Sequence, residues 1–357
     1  MGKIKIGIVT LYDDNNYGNK LQAYALQRVF EKKSVVVEQL IDDEKTFTIK
    51  VKKFLKKLLN KKKNVLNKER YGCFLEFNKN IKYAKVFKGA LKTKMKKNIK
   101  FDKYIVGSDQ VWNPGKKGIK GKYLLDFTKS SEKYSYAASF GKSDIPSKFF
   151  KKYSKELSKF KRISVREKHG IDIIKKLDIK KEIAHTLDPT LLLTADEWKN
   201  IEKQPKSINK EEKYILLYFL GNMSLEVKEK IESYSQRNGL KIINLMDKES
   251  SVYETGPSEF VYLIHNADLI ISDSFHACVF SFIFKKPFIV LNRQQEGFNN
   301  MNSRIESFLT MFKLEKAMYN GEIFDNSNMY DSSVDKKFEL EKNNSLSFID
   351  NILKEEK

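Results

Sequence analysis

"KIKIGIVTLYDDNNYGNKLQAYALQRVFEKKSVVVEQLI", residues 3–41, decides the fold class. The stretch opens on a short apolar run that gives way to loop residues, which predicts a buried strand. Leu21, Ala25, Leu26 and Val29 then fall at helical spacing, and "SVVVEQLI" returns to a strand pattern. Two strands joined through a helix form a βαβ unit, the connection that parallel strands require.

The same alternation runs on through the chain. "DKYIVGSDQVW" is a strand-to-loop transition, and "KYSYAASFG" and "RISVREKHG" predict two further strands separated by a helix near 147–160. "EIAHTLDPTLLL" has no clean period and reads as the passage between domains. Beyond it, "KYILLYFLG", "LKIINLM", "DLIISD" and "KPFIVLN" are strands, and "SLEVKEKIESYSQRNG", "PSEFVYLIHNA" and "SFHACVFSFIF" are helices. One of these helices ends on a glycine and another begins near Pro257. The expected architecture is α/β: two doubly wound Rossmann-like domains facing a cleft, covering 1–190 and 191–320. Residues 321–357 are expected to be a tail, patternless near 320–335 and ending in a closing helix over 337–355.

With 357 residues, 41% hydrophobic and 12% aromatic, the chain has enough apolar material for two cores. Its two cysteines, Cys73 and Cys278, exclude a disulfide framework and give no metal-ligand spacing. No metal or cofactor is expected. Met1 to Leu11 is too short for the apolar region of a signal peptide, and no apolar run reaches membrane-spanning length. A cytoplasmic location follows as the expectation.

The net charge of +22 attracts anions. Only seven of the 68 basic residues are arginine, so lysine at ordinary surface positions accounts for much of the excess. Residues 50–63, "KVKKFLKKLLNKKK", carry Val51, Phe54, Leu55, Leu58 and Leu59 on one helical face and lysines on the other. Such a helix either packs its apolar face on the first domain or docks on anionic lipid at the inner membrane face. Nucleic acid is not expected as a partner, because arginines are few and no recognisable binding module is present.

In open parallel sheets, ligands bind beyond the carboxyl ends of the strands, and this rule ranks the loops. Asn16, Gly18 and Asn19 can form a tight turn presenting N–H groups to an anion or sugar hydroxyl, or an ordinary turn. In "VGSDQVWNP", Gly107 permits close approach and Ser108 and Asp109, beside Gln110, either offer hydrogen-bond acceptors to a ligand or cap a helix. Trp112 there stacks on a sugar ring or belongs to the core. Arg166 follows an apolar strand, either in a structural ion pair or as a bidentate clamp for phosphate or carboxylate. In "ISDSFHACVFSFIF", Asp273 or Ser274 caps a helix, and His276 falls in its first turn, where the helix dipole is positive. A neutral imidazole there donates to an anion or exchanges a proton.

In this order, "NNYGNKLQAYALQ", "VGSDQVWNP", "SYAASFG", "ISVRE", "LDPTLLL", "SDSFHACVFSFIFKKPFIVL" and "SRIESFLTMFKL" resemble the polysaccharide pyruvyl transferase family, from about residue 4 to 315. The resemblance implies a fold similar to two-domain, GT-B-type glycosyltransferases. It also implies transfer of a pyruvyl group from phosphoenolpyruvate to a sugar, giving a cyclic ketal and phosphate. His276 matches the family's donor-binding histidine, and Arg166 matches a donor-binding arginine. The arginine that stands two positions before the histidine in characterised members is Ser274 here; Arg293 or a lysine is the candidate replacement. On this reading Arg166 clamps the donor, His276 binds it or supplies a proton, and Asp109 orients or deprotonates the acceptor, with Asp273 in reserve. The acceptor would be a glycan or lipid-linked sugar. Two other functions suit the same features: a nucleotide-sugar-dependent glycosyltransferase, or a non-catalytic protein of glycan or membrane surfaces. Under the leading reading, Arg166 and His276 converge from the two domains on one acidic metabolite.

Overall fold

The computed structural model describes residues 3–42, 66–88, 94–96, 99–115, 118–293 and 303–355. The basic stretch at 50–63 lies outside the described residues.

The chain forms two compact units. One comprises Met1–Asn64, Asn78–Leu192 and Glu341–Lys357, and the other comprises Val65–Phe77 and Leu193–Leu340. The units are therefore not contiguous in sequence, as the sequence reading had them: 65–77 and 321–340 belong with the second, and 341–357 with the first.

In the first unit, β1 (Lys5–Val9) leads into α1 (Tyr17–Glu31) and β2 (Val36–Asp42). The chain then passes through α2 (Leu66–Phe77), part of the second unit, and returns as β3 (Tyr83–Lys88), β4 (Lys94–Met95), β5 (Lys103–Val106) and β6 (Lys133–Ser135). These strands form one sheet in the order β4-β3-β2-β1-β5-β6. All neighbours are parallel except β3 and β4. Central parallel strands are covered on both faces, so they read as continuous apolar runs rather than alternating ones. β1 and β5 show this, with Ile6, Ile8, Val9, Ile105 and Val106 fully buried. Gly7 is required by the packing, because a Cβ there would lie 2.8 Å from Leu40 Cδ1 and 3.0 Å from Phe101 Cγ. α1 is buried on nearly its whole circumference, which is why polar residues such as Gln22 and Asn19 on it point into protein rather than water.

After β6 come α3 (Phe150–Leu157), β7 (Ile163–Val165), α4 (Lys168–Lys176) and β8 (Ile183–His185). β7 and β8 pair in parallel as a separate two-stranded sheet, and the bridges Tyr134–Arg162 and Ala138–Val165 link it to the β6 region. The stretch read as an interdomain passage thus begins with a strand, β8, which is too short to show a period. A 3₁₀ turn, Pro189–Leu192, ends the unit.

The second unit begins with α5 (Ala195–Lys199), held by a Thr194–Glu197 capping box. It continues through β9 (Tyr214–Tyr218), α6 (Leu225–Asn238), β10 (Lys241–Asn244), α7 (Pro257–Asn266), β11 (Leu269–Ser272), α8 (Phe275–Ile283), β12 (Phe288–Val290) and α9 (Ser303–Phe312). Its sheet, in the order β10-β9-β11-β12, is wholly parallel. Gly239 ends α6 with φ +61°, the left-handed geometry that favours glycine at this position. The stretch near 320–335, patternless in sequence, is pinned to the sheet. The buried Asn326 amide donates to Phe288 O at 2.7 Å and accepts from Phe288 N at 3.1 Å. The last helix, α10 (Ser332–Lys354), starts five residues before its expected position, and the division between the units falls within it. Among the described residues, no helix is long and apolar enough to cross a membrane.

Candidate active site

The polar motifs gather into two clusters, one at the strand ends of each unit.

In the first unit, Asn16 is exposed and caps α1, accepting from Asn19 N at 3.0 Å. Gly18 is the second residue of the helix, so the expected tight turn is instead a helix cap and first turn. The Asn19 amide donates to Asp109 Oδ2 at 3.0 Å, and Asp109 Oδ1 accepts from Gln110 N at 2.8 Å. Asp109 has φ +64°, a conformation that aspartate tolerates better than most residues. Gln22 ties the β1 and β5 ends together. It donates to the Thr10 hydroxyl at 2.9 Å and accepts from Ser108 N at 3.1 Å. The Ser108 hydroxyl donates to Ala137 O at 3.0 Å, with Asp188 Oδ2 3.3 Å away.

Arg166 stands at the centre of this network and is 4% exposed. Its Nε donates to Glu167 Oε1 and its Nη1 to Asp188 Oδ2, both at 2.8 Å, and Nη1 lies 3.9 Å from Asp109 Oδ1. Burial alone would lower the guanidinium pKa, but Glu167, Asp188 and Asp109 together raise it. Asp188 is held in turn by Thr190, through N at 3.1 Å and the hydroxyl at 2.7 Å. One guanidinium among three carboxylates leaves the cluster formally acidic. The structural ion pair is therefore the geometry found at Arg166; the open clamp would require an acidic donor to compete with carboxylates already in place.

Trp112 corrects another expectation. It has no exposed surface, its indole donates to Tyr123 O at 3.0 Å, and it packs on Phe140 and Phe160. A ring sealed in the core offers no face to a sugar. Gln110 accepts from Asn113 at 3.0 Å and sits so close to Gly141 that a Cβ there would lie 2.2 Å from its Oε1.

The sequence reading did not single out Lys20. Its side chain is 1% exposed, with Nζ 2.9 Å from Asp14 and 3.7 Å over the Tyr12 ring. Burial lowers its pKa against the pull of Asp14. Nor did the sequence reading single out Thr10, Gln22 or Asp188, whereas the Arg166–Glu167 pair is the ion pair it weighed. A signal existed for Gln22, which lies three residues after Asn19 on the same face of α1.

In the second unit, the carboxyl ends of β9, β11 and β12 supply the cluster. Asp273 is 3% exposed; its Oδ1 accepts from Leu220 N and its Oδ2 from Gly221 N, both at 2.8 Å. Arg293, 9% exposed, donates from Nε to Asp273 Oδ2 at 3.0 Å and from Nη2 to Asp273 O at 3.1 Å. Ser272 closes the strand end, donating to Tyr218 O at 2.5 Å and accepting from Ser274 N at 3.0 Å. Ser274 is the N-cap of α8, but its side chain makes no capping bond, unlike Asn16 on α1. His276 lies in the first turn of α8, 8% exposed and edge-on to Phe275 at 5.2 Å. The guanidinium of Arg304, also buried, lies 5.9 Å from the Phe275 ring. Two guanidinium groups and one carboxylate leave this cluster formally basic, at a helix N-terminus that itself favours anions. Asp273 is thus the anchor that fixes Arg293. Cys278, one turn along α8, is fully buried, and its thiol pKa is pushed up by burial and then by Asp273. Among the described residues, no three His, Cys, Asp or Glu side chains stand together in a metal-binding group.

Comparison with solved structures gives weak overall likeness. A UDP-GlcNAc 2-epimerase from Methanocaldococcus jannaschii has a TM-score of 0.49 at 15% identity, over 98% of this chain and 99% of that one. One from Neisseria meningitidis, bound to UDP-GlcNAc, has a TM-score of 0.47 at 13% identity, over 99% and 100%. A glycosyltransferase from Rickettsia africae has a TM-score of 0.43 at 11% identity, over the whole of both chains. No curated protein matches. A family profile described as polysaccharide pyruvyl transferase matches residues 16–295, well over half the chain. That span contains Asp109, Arg166, Asp273, His276 and Arg293, and the chain belongs to the polysaccharide pyruvyl transferase family.

Proposed function

We propose that the protein transfers the pyruvyl group of phosphoenolpyruvate to two hydroxyls of a surface-glycan sugar, forming a pyruvate ketal and inorganic phosphate. The observation that carries this reading is the basic strand-end cluster of the second unit. The donor bears a phosphate and a carboxylate, and the cluster offers Arg293, fixed by the buried Asp273, beside His276 at the start of α8. Arg293 thereby supplies a cation to the β11 end, where the family arginine is replaced by Ser274. The first unit's cluster is acidic and suits a different task. Arg166 is assigned there as a positioning residue that holds Asp188 and steadies Asp109, the carboxylate proposed to orient an acceptor hydroxyl.

The chemistry balances without an external oxidant or reductant. His276 delivers a proton to the methylene carbon of the donor, and C2 becomes cation-like as a sugar hydroxyl adds to it. A second hydroxyl of the same sugar then forms the other C2–O bond as the C2–O bond to phosphate breaks. Of the two hydroxyl protons released, one restores the acid and the other leaves with phosphate.

The direct test supplies purified protein with phosphoenolpyruvate and a panel of glycans carrying neighbouring free hydroxyls. Phosphate release with a product of ketal mass is expected. Absence of both turnover and calorimetric donor binding would remove the reading. Thermal protection by UDP- or GDP-sugars instead of phosphoenolpyruvate would point to glycosyl transfer.

Gly221→Ala probes the same cluster without altering a charge. Its Cβ would lie 2.8 Å from Arg293 Cγ and 3.1 Å from Asp273 Oδ2. The arginine must shift, and a displacement of about 1 Å in such a site can cost up to roughly 100-fold. Donor affinity is expected to fall by about tenfold or more while the melting temperature changes little. Unchanged donor affinity would show that Arg293 does not contact the donor.

A further inference from the structure

A cavity of about 510 Å³ lies wholly within the first unit between β8 and the C-terminal half of α10. It belongs to neither strand-end cluster, and its volume falls in the range of small-molecule sites. We propose that it binds a small anionic carbohydrate, of the sugar phosphate or uronate class.

Its two walls differ in chemistry. The β7–β8 side contributes Arg162, Lys181 and His185 with one carboxylate, Glu182, and the helix side contributes Asn344, Ser347 and Asn351 with a second, Glu355. Residues 344, 347 and 351 recur at helical spacing, so they form one polar stripe facing the cavity. Within the described protein, these three side chains make no hydrogen bond. Phe348 supplies an apolar surface between them, suited to the C–H face of a sugar ring.

One of the lining carboxylates, Glu355, already shows how this wall holds an anionic group. Glu355 accepts from Arg162 Nε at 2.5 Å and from the Tyr134 hydroxyl at 3.1 Å, and Lys103 Nζ donates to its backbone oxygen at 2.7 Å. Tyr134 and Lys103 are buried, at 0% and 4% exposure, so these are built contacts rather than wandering surface groups. Lys181 donates to Phe160 O and is held in place at the rim. The His185 Nε2 lies 2.9 Å from Arg166 O; a carbonyl only accepts, so Nε2 carries the hydrogen. Burial lowers the His185 pKa, which favours the neutral ring and leaves Nδ1 as an acceptor. Cations, amides and an imidazole acceptor together match a ligand with one anionic group and several hydroxyls. A simple ion would leave the amide stripe without a role.

The test uses glucose 6-phosphate as the probe, with glucose and inorganic phosphate as separate arms, read by calorimetry on the full chain. Saturable binding of glucose 6-phosphate is expected, with each arm alone at least roughly tenfold weaker. Ser347 and Asn351 are both exposed on the helix, so Ser347→Trp and Asn351→Leu should leave the fold intact. The first fills the cavity and the second removes one amide, and each should weaken binding about tenfold or more. Three results overturn the proposal: no binding of glucose 6-phosphate, binding untouched by both variants, or inorganic phosphate binding as tightly as the sugar phosphate.

Discussion

Replacing His276 with alanine is expected to lower phosphoenolpyruvate-dependent turnover by about 10²–10⁴-fold, the usual contribution of a positioned acid or base. The expectation rests on where the ring sits. β11 ends at Ser272, and Asp273 is locked by two backbone N–H groups and Arg293. α8 then starts at Phe275, which places the imidazole in the first turn of a helix otherwise buried in apolar side chains. The ring is buried and packs on Phe275, so the melting temperature of the alanine variant is measured alongside its turnover. His276→Asn separates the two roles the ring can play. Asparagine keeps a hydrogen-bond donor but has no titratable proton. If His276 only binds the donor, the asparagine variant keeps much of its turnover and shows a raised KM. If His276 delivers the proton, turnover falls while KM stays close to that of the unaltered protein. Turnover in the alanine variant within about tenfold of the unaltered protein would remove His276 from the chemistry.

How much of this was legible beforehand depends on the range of the interaction involved. The β1-α1-β2 opening could be read because its signals are local: an apolar run, a helical stripe and a second run within 3–41. The start of α8 beyond "DLIIS" was legible for the same reason. The bond from Arg293 to Asp273 spans twenty residues and could only be offered as one of several replacements for the family arginine. Trp112 was ambiguous because a tryptophan in a polar loop looks the same whether its ring faces solvent or turns inward. Only Phe140, Phe160 and the Tyr123 carbonyl decide it. β8 and α2 fell outside the reading for opposite reasons. Three residues of strand carry no period, and a helix can join a unit distant in sequence without any change in its own pattern. Arg166 shows the limit most clearly, because an arginine after a strand reads identically as clamp or as ion pair until Asp188, twenty-two residues away, comes into place.

That ambiguity can be resolved by stability as well as by kinetics. Arg166→Leu is expected to destabilise the first unit by about 3–5 kcal/mol, the usual cost of removing one partner from a buried ion pair. For a unit of this size, that corresponds to a fall in melting temperature of roughly 6–20 °C, measurable by calorimetry. The cause is what remains: Asp188 and Glu167, whose side chains are 0% and 2% exposed, would be left facing each other without a cation. The pH dependence has a definite sign. The folded-state pKa of Arg166 is raised, so the stability it contributes is fully present below the unfolded arginine pKa and is not lost across the working range. The orphaned carboxylates of the variant, by contrast, can escape their charge by taking up protons. The gap between variant and unaltered protein should therefore narrow as pH falls toward the carboxylate range, about 4. Arg166→Leu combined with Asp188→Leu should recover part of the loss, because it removes a buried charge along with its former partner. A clamp reaching for an external anion predicts a different pattern. The single variant would then keep its melting temperature, lose donor affinity, and gain nothing from the second substitution, and that result would return Arg166 to the donor.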